Sequence, residues 1–310
     1  MKNIAIILPA YNEALTIKET ILSFSKELPN SQIVVVDNNS KDETSNIVRK
    51  TFIDYNINGL LLHESNQGKG NAIRYAFQKV DADIYVMADT DMTYPASEVH
   101  NLIEPIINDD VDMSVGDRLS KGDYQKENKR LLHTFGNHLV QNLVNKLFNA
   151  KITDIMSGYR AFSKRFVKNY PILVEGFELE TDMTLHALDK RFKIKEIKIT
   201  YKDRPDGSES KLSTVSDGLK VVFTIFQIFR YYRPFLFFTI FSILFASLSL
   251  VSAIPVFTDW IFYKYIYHVP LAILATGLGL ISIIFFTVGI ILDSIAHQNR
   301  LEFEQRILQF

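Results

Sequence analysis

Two uncharged stretches near the C-terminus constrain this chain more than any other feature. Residues 235–256 read FLFFTIFSILFASLSLVSAIPV and residues 269–292 read VPLAILATGLGLISIIFFTVGIIL. At about 1.5 Å of rise per residue, helices of this length cover the roughly 30 Å hydrocarbon core of a bilayer. A helix in a soluble core seldom stays apolar on every face for so long. Both stretches are therefore expected to be transmembrane helices. The connector, TDWIFYKYIYH, carries Trp260, Tyr263, Tyr265 and Tyr267, which suit the headgroup level, and a single lysine, Lys264. Lys220, Arg230 and Arg233 precede the first stretch; Arg300 and Arg306 follow the second. The positive-inside rule then puts both termini in the cytoplasm, giving an integral, multi-pass membrane protein. The opening MKNIAIILPAYNE has a short apolar run broken at once by proline and charge, so no signal peptide is expected.

Charge and cysteine content exclude several classes. Lysine and arginine number 34 against 35 aspartates and glutamates, a net charge of −1, which argues against a nucleic-acid binder. There are no cysteines, so disulfides, thiolate nucleophiles and zinc–thiolate sites are ruled out. The histidines are scattered, with no H-E-x-x-H pair.

The N-terminal part alternates between short apolar runs and helical spacing. IAIIL (4–8), IVVVD (33–37), GLLLH (59–63) and DIYVMAD (83–89) read as buried strands. Helical patterns follow at 14–28, from DETSNIVRKTF with Asp42 as N-cap, and at GNAIRYAFQKV. The expectation is an α/β domain with a mostly parallel sheet, whose ligands bind at the carboxyl ends of the strands. The expected division is a cytosolic domain at 1–212, an interfacial amphipathic helix at 213–233, spans at 234–257 and 269–293, an extracytoplasmic loop at 258–268 and a cytoplasmic tail at 294–310.

Polar residues cluster after each expected strand: Pro9-Ala10-Tyr11-Asn12-Glu13, Asp37-Asn38-Asn39-Ser40, Asn66-Gln67-Gly68-Lys69-Gly70 and Asp89-Thr90-Asp91. Gly68 and Gly70 would let backbone amides approach a phosphate, with Lys69 adding charge. Neither a P-loop nor a G-x-G-x-x-G fingerprint is present. Four polar strand ends on one rim nonetheless point to a nucleotide site. Asp89 and Asp91 each raise the other's cost of ionising unless a cation is near.

In order, PAYNE, DNNSKDET, NQGKGNA, ADTD, GDR (116–118), DIMSGYR (154–160), FELETDM (177–183) and RPDGSESKL (204–212) resemble the family 2 glycosyltransferases of GT-A (Rossmann-like) fold. Within them the chain is similar to the polyprenyl-phosphate glycosyltransferases, the dolichyl-phosphate mannose synthase and bactoprenol glucosyltransferase type. The resemblance runs from Ile4 to about Leu212 and extends to the paired C-terminal spans.

The resemblance implies a Mg²⁺ or Mn²⁺ ion on the donor diphosphate, held chiefly by Asp91 with Asp89 near the ribose and metal. Carboxylate and phosphate oxygens suit such hard cations. It implies that Pro9, Tyr11, Glu13, Asp37, Asn38 and Lys69 surround the nucleotide, although Glu13 also reads as a helix-start acid. Arg118, Arg130, Arg204 and Lys211 fall in segments associated with lipid or donor phosphates, where arginine forks suit phosphate oxygens. Asp154 matches the motif aspartate called a general base where the acceptor is a sugar hydroxyl. A phosphate monoester is already a nucleophile at neutral pH, its second pKa being about 6. Asp154 is therefore read as positioning the site. Glu178 and Glu180 also fall near it, in roles the sequence does not separate.

The implied activity is an inverting transfer of a hexose, expected from a UDP-sugar, to undecaprenyl or another polyprenyl phosphate at the cytoplasmic membrane face, supplying a lipid-linked sugar for cell-envelope glycans. An enzyme of the same fold with another lipid or glycan acceptor stays open, as does a silent nucleotide-binding scaffold, which intact Asp89, Asp91, Asp154, Arg118 and Lys211 disfavour. The sugar is not determined, and a homo-oligomer is an open question, Thr276-Gly277-Leu278-Gly279-Leu280 being a weak packing surface. SDGLKVVFTIFQIFRYY (216–232), with a cap signal at Ser216, reads as interfacial, and 130–148 as amphipathic through Leu132, Phe135, Leu139 and Leu143.

Overall fold

A computed structural model gives the fold. It describes residues 2–108, 110–120, 131–176, 178–201 and 226–308, the side chains of 131–138 excepted. The chain forms two compact units, Met1–Val215 and Ser216–Phe310.

The first unit is built on β1 (Ile4–Ala10), β2 (Gln32–Asp37), β3 (Gly59–His63), β4 (Ile84–Met87), β5 (Met113–Asp117), β6 (Arg160–Ser163) and β7 (Ile194–Lys198). They form one seven-stranded sheet in the order β3-β2-β1-β4-β6-β5-β7. The strands expected from the sequence are the first four, and all pair in parallel. Ile6, Leu8, Val35 and Val86 are buried in one core with Ile21 and Phe24 of α1 (Ile17–Glu27). Ile7, Val34 and Met87, on the alternate positions, are buried too, and that double-sided burial is why β1, β2 and β4 read as unbroken apolar runs; β3, at the sheet edge, is only partly buried. α2 (Thr44–Asp54), α3 (Lys69–Lys79) and α4 (Val99–Ile107) complete the alternation. Asp42 precedes α2 by one residue more than expected; its Oδ1 still accepts from the Thr44 N–H at 3.1 Å.

β6 runs antiparallel between β4 and β5. The reversal positions the site. Arg160, which opens β6, lies opposite Met87 near the end of β4 and Val115 of β5. Residues 154–159 therefore arrive on the rim where β4 delivers Asp89 and β5 delivers Arg118. α5 (Leu131–Phe148), α6 (Lys164–Asn169) and α7 (Leu179–Asp189) follow. On α5 the buried positions are Val140 and Val144, while Leu139 is exposed and Leu143 half-buried. The buried face is thus rotated by one residue from the expected one.

The second unit is a hairpin of α8 (Pro234–Tyr263) and α9 (Val269–Ile307). Both are long and apolar enough to cross a membrane. They run beyond the apolar stretches, leaving residues 264–268 as the turn. Asp259 closes that turn, its Oδ2 accepting from the backbone N–H groups of Tyr267 at 2.8 Å and His268 at 3.0 Å. The helices touch through Ser242 and Ser282, whose hydroxyls are 3.1 Å apart, and through Phe245 stacked on Phe285 at 5.4 Å. Small polar contacts of this kind are what holds helices together where apolar burial gives no drive. Large apolar side chains such as Leu250, Ile254, Ile273 and Ile283 point outward, a surface suited to lipid rather than water. Of the expected interfacial helix, 226–232 are described. They are helical, with Ile228 buried and Phe226, Gln227 and Tyr231 exposed. Ser216 lies outside the described residues.

Candidate active site

Asp89 finds a counter-ion within the protein. Lys69, the first residue of α3, is buried and pairs with Asp89 Oδ1 and with Glu180 Oε1, the latter at 2.5 Å. Burial alone would push the ammonium pKa down, but the two carboxylates outweigh it and hold it above its ordinary value. Lys69, expected beside the nucleotide, is thus held at the rim by the carboxylates of Asp89 and Glu180. It also gives Glu180 a definite role, while Glu178 is the residue before α7.

The glycines beside Lys69 serve another purpose than expected. Gly68 adopts φ 140°, and a Cβ there would stand 2.2 Å from the Glu175 carbonyl oxygen. The Gly68 N–H donates to Asn38 Oδ1 at 2.6 Å and the Gly70 N–H to Glu175 O at 2.9 Å. Both amides are therefore used inside the protein, and the turn is a seam between α3 and residues 174–175 rather than a phosphate cradle. Asn38 also donates to Glu64 O and Asn66 O at 3.1 and 2.7 Å. Both hydrogens of the Asn38 side-chain amide are therefore used within the protein, tying β2 to residues 64–68.

Asp91 is buried; its Oδ1 accepts from the Thr93 N–H at 3.2 Å and hydroxyl at 2.6 Å. Met92 beside it has φ 62°, a left-handed conformation that a methionine seldom takes. Pro9 O accepts from the Thr90 hydroxyl at 3.2 Å, tying β1 to this turn. Asp37 is buried at the end of β2. Burial would raise its pKa, but donors from Ser40 and Ser45, with His63 nearby, hold it below the ordinary value. Its Oδ1 accepts from the Ser40 N–H at 3.0 Å and its Oδ2 from the Ser45 hydroxyl. Glu13 sits before α1, accepting from the Thr16 hydroxyl at 3.1 Å, as a helix-start acid does. Tyr11 is half-buried on the same rim.

The second cluster is Arg118 and Asp154. Arg118 Nε lies 2.7 Å from Asp154 Oδ2 and Nη2 lies 2.9 Å from Oδ1, a two-pronged pair, and the Arg118 N–H adds a third bond to Oδ2 at 3.1 Å. Glu196 of β7 accepts from the N–H groups of Thr153 and Asp154, both at 2.8 Å, and so fixes the backbone beneath. Arg160, fully buried, donates to Ser157 O, Ile155 O and Thr184 Oγ1 at 2.8, 2.5 and 2.9 Å. Burial depresses its pKa; Glu180 and Asp154 counter that. Tyr94 joins the clusters: its hydroxyl accepts from Arg118 Nη1 at 3.3 Å and from the Gly158 N–H at 2.9 Å. A Cβ at Gly158 would stand 2.6 Å from Asp89 Oδ2 and 3.0 Å from Lys69 Nζ, so the two clusters meet there.

Arg130, Arg204 and Lys211 lie outside the described residues. Glu196, Arg160 and Tyr94 were not expected. For Arg160 and Tyr94 the available signals were the arginine ending DIMSGYR and the aromatic three residues after Asp91. Among the described residues no three acidic, histidine or cysteine side chains gather to hold a metal. The donor set that remains, carboxylate oxygens at Asp89 and Asp91, fits a hard divalent cation that takes its other ligands from a diphosphate and water.

The sequence profile of glycosyl transferase family 2 matches residues 5–170. A dolichyl-phosphate hexose transferase of Haloferax volcanii is 26% identical over 219 residues, covering 71% of this chain and 90% of that protein. A UDP-N-acetylglucosamine–dolichyl-phosphate N-acetylglucosaminyltransferase of Methanococcus voltae is 28% identical over 215 residues, covering 64% of this chain and 85% of that protein. Among solved structures, glucosyl-3-phosphoglycerate synthase of Mycobacterium tuberculosis, in complex with Mn²⁺, UDP and glucosyl-3-phosphoglycerate, is similar with a TM-score of 0.57 at 17% identity, covering 72% of this chain and 80% of that one. At that identity the likeness is one of fold. The family profile runs from β1 to β6, including the antiparallel strand whose preceding turn brings Gly158 to Asp89, and the chain is accordingly a member of glycosyl transferase family 2, a hexosyltransferase of GT-A fold.

Proposed function

We propose that this enzyme transfers a hexose, with inversion, from a UDP-sugar to the phosphate of undecaprenyl phosphate at the cytoplasmic face of a membrane. The observation that carries the reading is the meeting of two charge clusters, Lys69–Asp89–Glu180 and Arg118–Asp154, around Tyr94 and Gly158, in a chain with two bilayer-length apolar helices. Relatives named for dolichyl phosphate, one of them with a UDP-sugar donor, support the acceptor and donor classes.

In this reading a phosphate oxygen of the acceptor attacks the anomeric carbon, the bond to the UDP oxygen breaks, and a sugar–phosphate bond forms on the opposite face. No proton need leave the nucleophile, because a phosphate monoester is largely ionised near neutral pH. The difficulty is to bring two anions together. Arg118, held flat by Asp154, faces the acceptor phosphate, with Lys211 and Arg204 as further cations and Arg130 beside them. Pro9, Tyr11, Glu13 and Asp37 border the nucleotide. Asp91, with Asp89 beside it, would hold Mg²⁺ or Mn²⁺, which when bound offsets charge on the departing diphosphate. The spans run as a hairpin with both termini cytoplasmic, from the arginine and lysine bias.

The test is a donor screen. Purified full-length protein is incubated with undecaprenyl phosphate and UDP-glucose, UDP-galactose, UDP-N-acetylglucosamine or GDP-mannose. A lipid product heavier by one sugar residue with a UDP-sugar is expected. Transfer only to a lipid diphosphate or a soluble glycan would overturn the acceptor assignment.

A further inference from the structure

Tyr94 is fixed more tightly than a rim residue needs to be. Its ring is 6% exposed. It packs at 5.3 Å against Tyr159 and edge-on at 5.9 Å against Tyr201. The backbone bends just before it, at Met92. The position of its hydroxyl oxygen is therefore set by the fold. A hydroxyl has one proton and two acceptor lone pairs. Arg118 Nη1 and the Gly158 N–H donate to the oxygen. Its proton meets no acceptor among the described residues. A buried donor left unmatched is costly, typically about 1–3 kcal/mol, so the site is built for an acceptor that arrives with a ligand.

The surroundings indicate what that acceptor is. Arg118 donates to the hydroxyl, and Lys69 stands close to Gly158, whose N–H also donates to it. Their partners Asp154 and Asp89 hold those cations in place and are themselves acceptor-only groups when ionised. Because the carboxylates already neutralise both cations, what this meeting point offers an incoming phosphate oxygen is the neutral O–H donor of Tyr94. Burial holds the phenol pKa above its ordinary value, with Arg118 pulling it back in part, so the proton is present at neutral pH.

We infer that the Tyr94 hydroxyl is a catalytic hydrogen-bond donor to a phosphate oxygen of the reacting substrates, placed where the acceptor-side and donor-side clusters meet. The inference rests on the transfer reaction proposed above. The phosphate has two sources, the lipid monophosphate and the sugar-nucleotide diphosphate. No proton is transferred; the bond strengthens as the two anions close on the anomeric carbon.

The experiment first measures transfer from a UDP-sugar to undecaprenyl phosphate by the wild-type full-length enzyme. Absence of transfer there counts against the proposed reaction, not against Tyr94. With transfer in hand, Tyr94→Phe, confirmed folded by its thermal transition, is expected to lower kcat/KM roughly ten- to a hundredfold, the range of a hydrogen bond to a charged group. A rise in KM for undecaprenyl phosphate at unchanged UDP affinity assigns the lipid phosphate; weaker UDP binding in calorimetry assigns the donor. Because Phe also removes an acceptor from Gly158 and Arg118, a second variant separates the roles. Trifluorotyrosine at position 94 makes the phenol more acidic. A donor role predicts a pH–rate profile that falls on the alkaline side at lower pH than in the wild type, as the proton is lost. A purely structural role predicts no such fall, since the phenolate accepts better from Arg118 and Gly158. Tyr94→Phe within twofold of wild type, or a trifluorotyrosine enzyme with an unshifted profile, would overturn the inference.

Discussion

Lys69 lies between the carboxylates of Asp89 and Glu180, with its Nζ 2.5 Å from Glu180 Oε1. The contact joins the start of α3, the turn after β4 and the first turn of α7. It also means that Asp89 has a counter-ion within the protein, one cation of the kind the Asp89–Asp91 pair calls for.

Lys69→Met is accordingly expected to destabilise the fold by about 3–5 kcal/mol, the usual consequence of removing one partner from a buried charge cluster. Glu180→Gln should cost less, since Lys69 keeps Asp89. The double variant Lys69→Met/Glu180→Gln should recover part of the loss, because one stranded carboxylate is gone. Denaturant unfolding of the full chain in detergent reads all three. A Lys69→Met penalty below about 1 kcal/mol would put the pair among ordinary surface contacts.

Metal removal should separate activity from stability. With Lys69 neutralising Asp89, EDTA is expected to abolish transfer and leave the thermal transition of the ligand-free protein unmoved. Asp91→Ala should lower kcat by at least ~10²-fold, a few kcal/mol of barrier. Full turnover in EDTA would remove the metal from the reaction.

The sequence made the rim residues after β1 to β4 legible and those after β5 and before β6 only partly so. β1, β2 and β4 are buried on both faces, so each appears as an unbroken apolar run ending in polar residues, while the edge strand β3, only partly buried, was legible from its leucines. β6 is four residues long and antiparallel, and β7 alternates as IKEIK with intermediate and exposed positions; neither gives a long apolar signal. Asp154 could be picked out from DIMSGYR, but its fork with Arg118 joins residues 36 apart in sequence and exists only once β6 reverses. Gly68 and Gly70 misled for a physical reason. A glycine reports that something comes close, and here it is the 174–175 backbone rather than a phosphate.

Acid should weaken the catalytic domain through His186, which lies away from the rim on α7, packed against Phe166, Tyr170 and Phe192. Burial first, then the Lys190 charge, lowers its pKa from 6.5 to about 4. The unfolded chain therefore binds more protons between those values, and stability rises with pH across that window. The contribution is complete above pH 6.5 and is lost as pH falls to about 4, at most on the order of 3 kcal/mol. Thermal transitions of wild type and His186→Leu at pH 7 and pH 5 check this. The variant should lose less stability on acidification; an equal loss would assign the effect to other groups.

Asp154 decides the acceptor chemistry. Both its carboxylate oxygens accept from Arg118, at 2.7 and 2.9 Å from the guanidinium, so taking up a proton would cost the fork its charge. Asp154→Asn turns an amide NH₂ toward the guanidinium, which also contacts the Tyr94 hydroxyl and lies 5.7 Å from the ring of Tyr201. Charge-assisted bonds of this kind contribute about 1.5–3 kcal/mol each, so kcat/KM for lipid phosphate should fall roughly ten- to a hundredfold, with UDP affinity little changed. Arg118→Ala should fall at least as far. The pH–rate profile separates the two roles. If the acceptor phosphate is its own nucleophile, the rate falls below about pH 6 as that phosphate is protonated, and the fall persists in Asp154→Asn. If Asp154 is the base, the variant loses the acid-side fall along with nearly all activity. A flat, residual profile in Asp154→Asn would therefore make Asp154 the proton acceptor and leave Arg118 a different task.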